Sequence, residues 1–349
     1  MDGIAPYSKT QVFMLSLDPL QSRREALQAQ HSVLIEKLYA LRYDYGLSAD
    51  TSVRFQLKKQ IEQVEANLEA SEQQLVSLER TSADGRLYQA LLKLGYRKQV
   101  QMFRKFVENH PIAAFLIHGK EDHGQQWLLN RLVVQHTRDS ITGKVVTVDL
   151  ARVAHRNDVA ALWRQLGRQV GLDRRRQCEV PAIVERVYQW WRTQNVLVIF
   201  YGVDFLPEAF LEELLRDFWT PLTAQTVGGV PAWEREGSDI GYKLLMFLVD
   251  QEGCVGDWSV PFAQTLDSSW QPKMPVKLPV LSEFTESELA SWLDFSADDL
   301  PLKLVEQMDE LVQDILENSD NGTPEPTFEE ICQRVGLSWV EAEKRWMKL

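Results

Sequence analysis

From Pro19 to Tyr45 leucines recur at Leu20, Leu27, Leu34 and Leu41, a sevenfold spacing, with Leu38 on the neighbouring stripe. That pattern predicts a helix with one apolar face. Gly46-Leu47-Ser48-Ala49-Asp50-Thr51 follows as a glycine stop with capping residues, and a second helix is expected to about Arg80. Its apolar positions, Leu57, Ile61, Val64, Leu68, Ser71, Leu75 and Leu78, step by four and three without a slip. With Lys, Glu and Gln between them this is an a/d heptad seam on a helix roughly 40 Å long. The loop between the two helices is short enough to force an antiparallel hairpin. Whether the seam serves the hairpin alone or is shared with another chain stays open at this point.

The pattern changes after Thr81-Ser82-Ala83-Asp84-Gly85, read as a hinge. A helix from Arg86 to about Asn109 turns Leu87, Leu91, Leu94, Val100, Phe103 and Phe106 inward. Short apolar runs at Ala113 to Ile117, Lys144 to Leu150, Val196 to Phe200, Lys243 to Val249 and Val276 to Val280 predict strands, and the continuous β-branched run Val196-Leu197-Val198-Ile199-Phe200 predicts one covered on both faces. Helices are expected around 157–170, 180–193 and 206–219, with a flexible loop at Gly228-Gly229-Val230-Pro231. Thr285 and Glu288 form a capping box opening a helical lid. Asn318 to Pro326 reads as a linker, and two short helices around Gly336 close the chain with Phe328, Ile331, Val335, Trp339 and Trp346 inward. Three domains follow: 1–85, a coiled-coil hairpin; 86–280, an α/β core of parallel strands; and 281–349, a helical lid.

The stretch Ala113 to Leu132 reads as strand, loop and helix, with Gly119 and Gly124 bracketing the loop. This is the layout of a P-loop, G-x-x-x-x-G-K-[ST], in which backbone N–H groups cradle phosphates, the lysine reaches the β/γ-phosphates and the hydroxyl holds Mg²⁺. Here Gln125 and Gln126 stand where the lysine and the hydroxyl belong. A neutral amide supplies no charge to a developing phosphate and is a poor ligand for Mg²⁺. The second strand that such an enzyme needs, ending in acids for the metal and the water, ends here in Tyr201 and Gly202. Asp204 follows a few residues on, and its plainer reading is the N-cap or first-turn acid of the next helix.

His118 to Leu132, the strand Val196 to Phe200 with Tyr201-Gly202-Val203-Asp204 after it, and Asp217-Phe218-Trp219-Thr220-Pro221-Leu222 together resemble the inactive STAND domain, over roughly residues 88–349. That family comprises catalytically degraded relatives of STAND signalling NTPases from cyanobacterial and other bacterial conflict systems. The resemblance implies an AAA/STAND-type P-loop NTPase-like core with a helical lid, and a role in signalling assemblies without turnover. Helical hairpins like the N-terminal one also resemble those found upstream of caspase-like, TIR or NTPase modules in bacterial signalling proteins.

Composition narrows the partners. The 349 residues are 44% hydrophobic and 25% charged, as in an ordinary globular protein. No run of about 18 apolar residues is present, and the start lacks a basic n-region, so a cytoplasmic protein without a membrane partner is expected. Net charge is −12, and residues 281–349 hold 17 acidic against 5 basic side chains. That end would repel phosphate, which argues against helix-turn-helix DNA reading there and against a nucleic-acid partner. Arg174-Arg175-Arg176 reads as a solvated loop balancing the acidic lid or a partner chain, with a phosphate grip as the alternative. Cys178, Cys254 and Cys332 lack metal-ligand spacing and read as free thiols packed in the core. No metal and no cofactor are expected. The function read from the sequence is a non-catalytic signalling adaptor or scaffold, acting through protein partners such as effector or sensor components of a conflict system and through self-association by the hairpin. The alternatives are a nucleotide sensor that binds without hydrolysing, through backbone N–H groups and the helix dipole, and an NTPase with unconventional residues.

Overall fold

A computed structural model describes residues 19–81, 83–137, 143–154, 159–172, 179–228, 242–267, 269–305 and 308–347. Arg174-Arg175-Arg176, Cys178 and Gly229-Val230-Pro231 lie outside them. The chain divides into two compact units, Met1–Ser82 and Ala83–Leu349.

The first unit is a pair of long helices, α1 (Pro19–Leu47) and α2 (Thr51–Thr81). Asp50 accepts the N–H of Ser52 at 2.7 Å, so the turn between them doubles as the cap of α2. Ile61, Val64 and Leu68 are buried with Leu38 of α1, and Leu34, Ile35, Leu41 and Tyr45 pack around them. The chain's own first helix therefore covers the middle of the seam. Leu57 and Leu75 are half-buried, and the side chain of Leu78 is outside the described set. Arg42 reaches Glu65 at 2.7 Å and His31 lies 3.4 Å from Glu72, fixing the register of the two helices.

The second unit begins with α3 (Ala83–Leu91), so Ala83, Asp84 and Gly85 of the expected hinge are helical. The single helix expected over 86–109 is broken, and α4 runs Arg97–Asn109. The break falls at Gly95 and Tyr96, whose φ angles are +61° and +54°. A Cβ on Gly95 would lie 2.1 Å from the Phe284 ring, so only glycine lets lid and helix approach this closely. Arg131 donates to the buried carbonyls of Leu94 and Gly95 at 2.9 and 2.8 Å and satisfies the end of the turn.

Five strands follow: β1 (Ile112–His118), β2 (Lys144–Asp149), β3 (Val196–Tyr201), β4 (Leu244–Asp250) and β5 (Val276–Lys277). They form one sheet in the order β2-β3-β4-β1-β5, every pair parallel. β1 and β4 are buried at every position. Their side chains alternate between two cores: Ala113, Phe115, Ile117, Leu245 and Phe247 face one, and Ala114, Leu116, Leu244, Met246 and Leu248 the other. This is the period-2 consequence of a parallel sheet covered on both faces. β5 is shorter than the expected 276–280, with Val276 also bridged to Ala263.

The helices between strands are α5 (Gln125–His136), α6 (Val159–Gln169), α7 (Val180–Trp191), α8 (Glu208–Leu214) and α9 (Thr220–Gly228). α8 and α9 are joined by a π-helical turn, Leu215–Trp219, so the helix expected to end near 219 continues to Gly228. Pro221 causes the π-turn: it has no N–H and its ring would press on the carbonyl of Asp217. The N–H of Thr220 bonds instead to Leu215, five residues back. Phe218, Trp219 and Leu222 are fully buried there, and the Trp219 indole N–H donates to Pro272 at 2.8 Å.

The lid comprises α10 (Glu286–Ser296), α11 (Met308–Asn318), α12 (Pro324–Arg334) and α13 (Trp339–Trp346). The capping box of Thr285 and Glu288 is formed. The expected linker 318–326 shrinks to a tight turn in which Asp320, Asn321 and Gly322 all have positive φ, because Pro324 opens α12 instead of ending a loop. Leu289, Trp292, Leu311, Ile315, Phe328, Ile331, Trp339 and Trp346 join the same core as α3 to α5, whereas Val335 is only half-buried. Cys332 is buried; Cys254, expected in the core, is exposed in the loop after β4, where it precedes a 3₁₀ turn.

Candidate functional site

Ligands of open α/β sheets sit outside the carboxyl ends of the strands. In this chain three loops meet there, after β1, β3 and β4, because His118 pairs with Asp250 and Tyr201 with Val249 in the sheet register.

The loop 119–124 is filled from within. Gln125 is buried, and its amide Nε2 donates to the carbonyls of Gly119 at 2.9 Å and Lys120 at 2.8 Å, with that of Gln251 at 3.3 Å. The side chain at the lysine position thus folds back into the loop and ties it to the end of β4. Gln126 points to solvent. The two bracketing glycines serve packing within the chain. A Cβ on Gly119 would sit 2.8 Å from that of Leu281, and one on Gly124, whose φ is +73°, would come within 2.4 Å of the Tyr96 hydroxyl. Gly253 approaches equally closely from the β4 side, its virtual Cβ 2.9 Å from the Gly119 carbonyl oxygen.

The remaining carbonyls of the loop are also engaged. The Tyr96 hydroxyl donates to His123 at 2.8 Å, and the imidazole Nδ1 of His123 donates to Glu121 at 2.9 Å. The N–H of Glu325, in the first turn of α12, donates to Asp122 at 3.0 Å. Asp122 itself has φ +62°, a strained value for a residue with a side chain. Glu283 lies 3.5 Å from His123 Nε2 and 4.0 Å from Lys120 Nζ. Behind the loop Trp127 packs on Phe328, Trp339 and Trp346, at centroid distances of 5.2, 5.3 and 6.4 Å. The helix after the loop is therefore bound by lid aromatics, each such pair contributing about 0.5–1.5 kcal/mol beyond its buried area.

The electrostatics of this closed loop are acidic. Burial pushes the Glu325 carboxyl up to about 7, with Asp122, Glu343 and Glu121 adding to the shift. The Tyr96 phenol is driven well above its ordinary range by burial and then by Glu325. A phosphate would meet carboxylates at the mouth of the loop, the reverse of what an anion site requires.

At the other two strand ends, Tyr201 is largely buried, which raises its phenol to about 12. Gly202 has φ +68° and donates to Val249 at 2.9 Å. Asp204 lies in a 3₁₀ turn, Val203–Phe205, rather than at the N-cap of α8, which is Pro207. Its Oδ1 accepts the N–H of Gln251 at 2.9 Å, while its Oδ2 has no partner among the described residues. Asp250 is fully buried and accepts the N–H groups of Gly253 and Val255 at 2.7 and 2.8 Å. Burial raises it to about 6 against the lowering by those bonds. Both acids are thus engaged with loop backbone. No cluster of three potential metal ligands occurs among the described residues, and none of their helices is long and apolar enough to cross a membrane.

Sequence reading missed Tyr96 and Glu325. The Gly95-Tyr96 step inside an apolar helical pattern was the available signal for the first, and Pro324-Glu325, a proline at the first helical turn with an acid beside it, for the second. Asp250, with Gln251 and Glu252, reads from the sequence as the strand end where a related ATPase places a polar sensor, and in the structure Asp250 caps the loop that follows β4.

Residues 91–249 match the family model described as inactive STAND. The match runs from the end of α3 through β4 and includes the loop 119–124 and the ends of β1 and β3; the lid lies beyond it. No curated protein matches the chain. Among solved structures, the chain is similar to the Aeropyrum pernix ORC1 protein, determined in complex with DNA, at 15% identity and a TM-score of 0.36, over 74% of this chain and 60% of that one. This chain thus spans less than two thirds of that protein's length. On its sheet, its loop and the family match together, this chain carries an inactive STAND domain over residues 91–249.

Proposed function

We propose that this protein is a non-catalytic signalling adaptor or scaffold that works through contacts with other proteins, in the bacterial conflict-system setting that the resemblance implies. The observation that carries this reading is the Gln125 amide, which occupies the loop by bonding to the carbonyls of Gly119 and Lys120. The acidic mouth formed by Glu121, Asp122 and Glu325 supports it further. A loop stitched to its own lid serves as a rigid joint between sheet and helices, and no nucleotide is needed to hold it. Protein partners are proposed; a nucleic-acid partner is not, given the chain's acidity.

The second reading, a nucleotide sensor without turnover, rests on the N-terminus of α5, whose dipole favours anions. Titration of ATP, ADP and GTP into the purified chain by calorimetry, with and without Mg²⁺, separates the two. The adaptor reading expects no binding up to about 1 mM. Micromolar binding would establish the sensor, and hydrolysis that disappears in Gln125→Ala would establish an enzyme.

A further inference from the structure

Residues 86–107 contain six basic side chains and no acidic one, in a chain whose net charge is −12. The balance elsewhere is lopsided in the other direction: 17 acidic against 5 basic residues in 281–349, which leaves 33 of each in 1–280. α4 concentrates the cations. It buries Gln99, Phe103, Phe106 and Val107 and exposes Arg97, Lys98, Gln101, Arg104 and Lys105, which recur at the spacing of one helical stripe. Arg104 is paired with Glu108 at 3.1 Å, whereas Arg97, Lys98 and Lys105 have no acidic partner among the described residues.

α10 presents the complement. Leu289, Trp292, Leu293 and Ser296 face inward, and Asp294, Phe295 and, just beyond, Asp298 face solvent. Phe295 is 81% exposed, more than any other large apolar side chain among the described residues. Asp294 and Asp298 have no basic partner there either. The two surfaces adjoin: Lys93, just before α4, is paired with Asp299 at 2.7 Å, and Gln99 of α4 donates to the carbonyl of Val280, itself 58% exposed.

We propose that this face is an interface between two copies of the chain, related by a two-fold axis that sets α4 of each against α10 of the other. Adjacent patches of opposite sign on one surface are self-complementary under a two-fold rotation, which closes the assembly at a dimer. Phe295 and Val280 supply apolar contact at its centre and the unpaired charges its rim, the usual anatomy of a specific interface. A nucleic acid fits poorly, because the acids of α10 stand beside the cations of α4 and would repel its backbone. This goes beyond the adaptor reading and stands independently of whether nucleotide binds.

The test is a charge swap on the full chain. At about 50 mM salt, where screening is weak, light scattering should report a dimer of the unaltered protein, and Arg97→Glu/Lys98→Glu/Lys105→Glu and Asp294→Lys/Asp298→Lys should each be monomeric. An equimolar mixture of the two variants should restore the dimer, since both contacts then join opposite charges. Phe295→Ser should weaken association about tenfold or more. A monomeric unaltered protein at about 100 μM under that weak screening, a dimer that persists in both variants, or a mixture that stays monomeric overturns the proposal. So does a monomer that binds a short DNA duplex through Arg97, Lys98 and Lys105. Retained thermal unfolding of each variant separates lost association from lost fold.

Discussion

The side-chain amide of Gln125 lies 2.9 Å from the carbonyl oxygen of Gly119, the first glycine of the loop that its own helix follows. A lysine at this position in a working loop reaches outward to a phosphate; the glutamine reaches inward to backbone. Gln125→Ala removes the donor of these bonds and leaves buried carbonyls short of a partner. The cost should be about 1–3 kcal/mol, read as a melting temperature lowered by several degrees, with no nucleotide binding gained. Gln125→Lys should not create an ATPase, because the groups of a catalytic site act as a unit and Asp204 and Asp250 are held by the backbone of the loop after β4. Turnover by that single variant, in a phosphate-release assay, would sink this account.

Glu325 makes the joint between loop and lid sensitive to pH. Its folded value of about 7 lies above the ordinary glutamate value, so the folded state holds the proton more tightly than the unfolded state does. Stability from this group is therefore full below about pH 4.3 and is lost as pH rises towards 7. Asp250, raised to about 6, acts in the same direction over a lower window. Glu325→Gln should match the unaltered protein near pH 4 and exceed it at pH 8, by about 1–2 kcal/mol after solvent screening is allowed for. Chemical denaturation at both pH values checks this; an equal or lower stability of the variant at pH 8 contradicts it.

Gly124 and Tyr96 are coupled through one contact. Gly124→Ala puts a methyl group 2.4 Å from the tyrosine oxygen and an alanine at φ +73°, which should cost at least about 2 kcal/mol. Tyr96→Phe alone loses the hydroxyl bond to His123, worth about 1 kcal/mol. In the double variant the steric part disappears and only the backbone strain remains. The combined loss should fall short of the sum by about 1 kcal/mol or more, measured by urea unfolding of the four proteins. Additive losses would show that Tyr96 moves aside freely.

Strong periodicity makes an element legible in the amino-acid sequence. The strand Val196 to Phe200, the heptad Ile61, Val64 and Leu68, and the capping box at Thr285 each follow from spacing and residue type alone, and each forms where expected. The glycine frame of the loop is equally visible, but what it frames is not. Gly119 and Gly124 read as room for a phosphate, whereas they give room to Leu281 and Tyr96. Those partners come from 162 and 28 residues away in sequence, and long-range contact leaves no local period. The same holds for the break at Gly95, set by Phe284. The exposure of Cys254 is equally illegible, because a lone thiol carries no pattern of its own.

The seam of the first unit yields the last prediction. Leu68 is 1% exposed, buried with Leu38, Ile61 and Val64 between α1 and α2. Leu68→Glu removes an apolar side chain worth about 1.5–3 kcal/mol and places a carboxylate among apolar neighbours, which raises the cost further. A two-helix hairpin whose buried centre comprises, among the described residues, four apolar side chains cannot absorb that, so helical circular dichroism should fall by the share of α1 and α2. The unit Ala83–Leu349 has its own core and should keep its melting transition. Recovery of partner proteins, compared between Leu68→Glu and the unaltered chain by co-purification, then shows which contacts need the hairpin. If helicity and melting are both unchanged in Leu68→Glu, the seam is not what holds α1 to α2; if the second transition also vanishes, the two units do not fold independently.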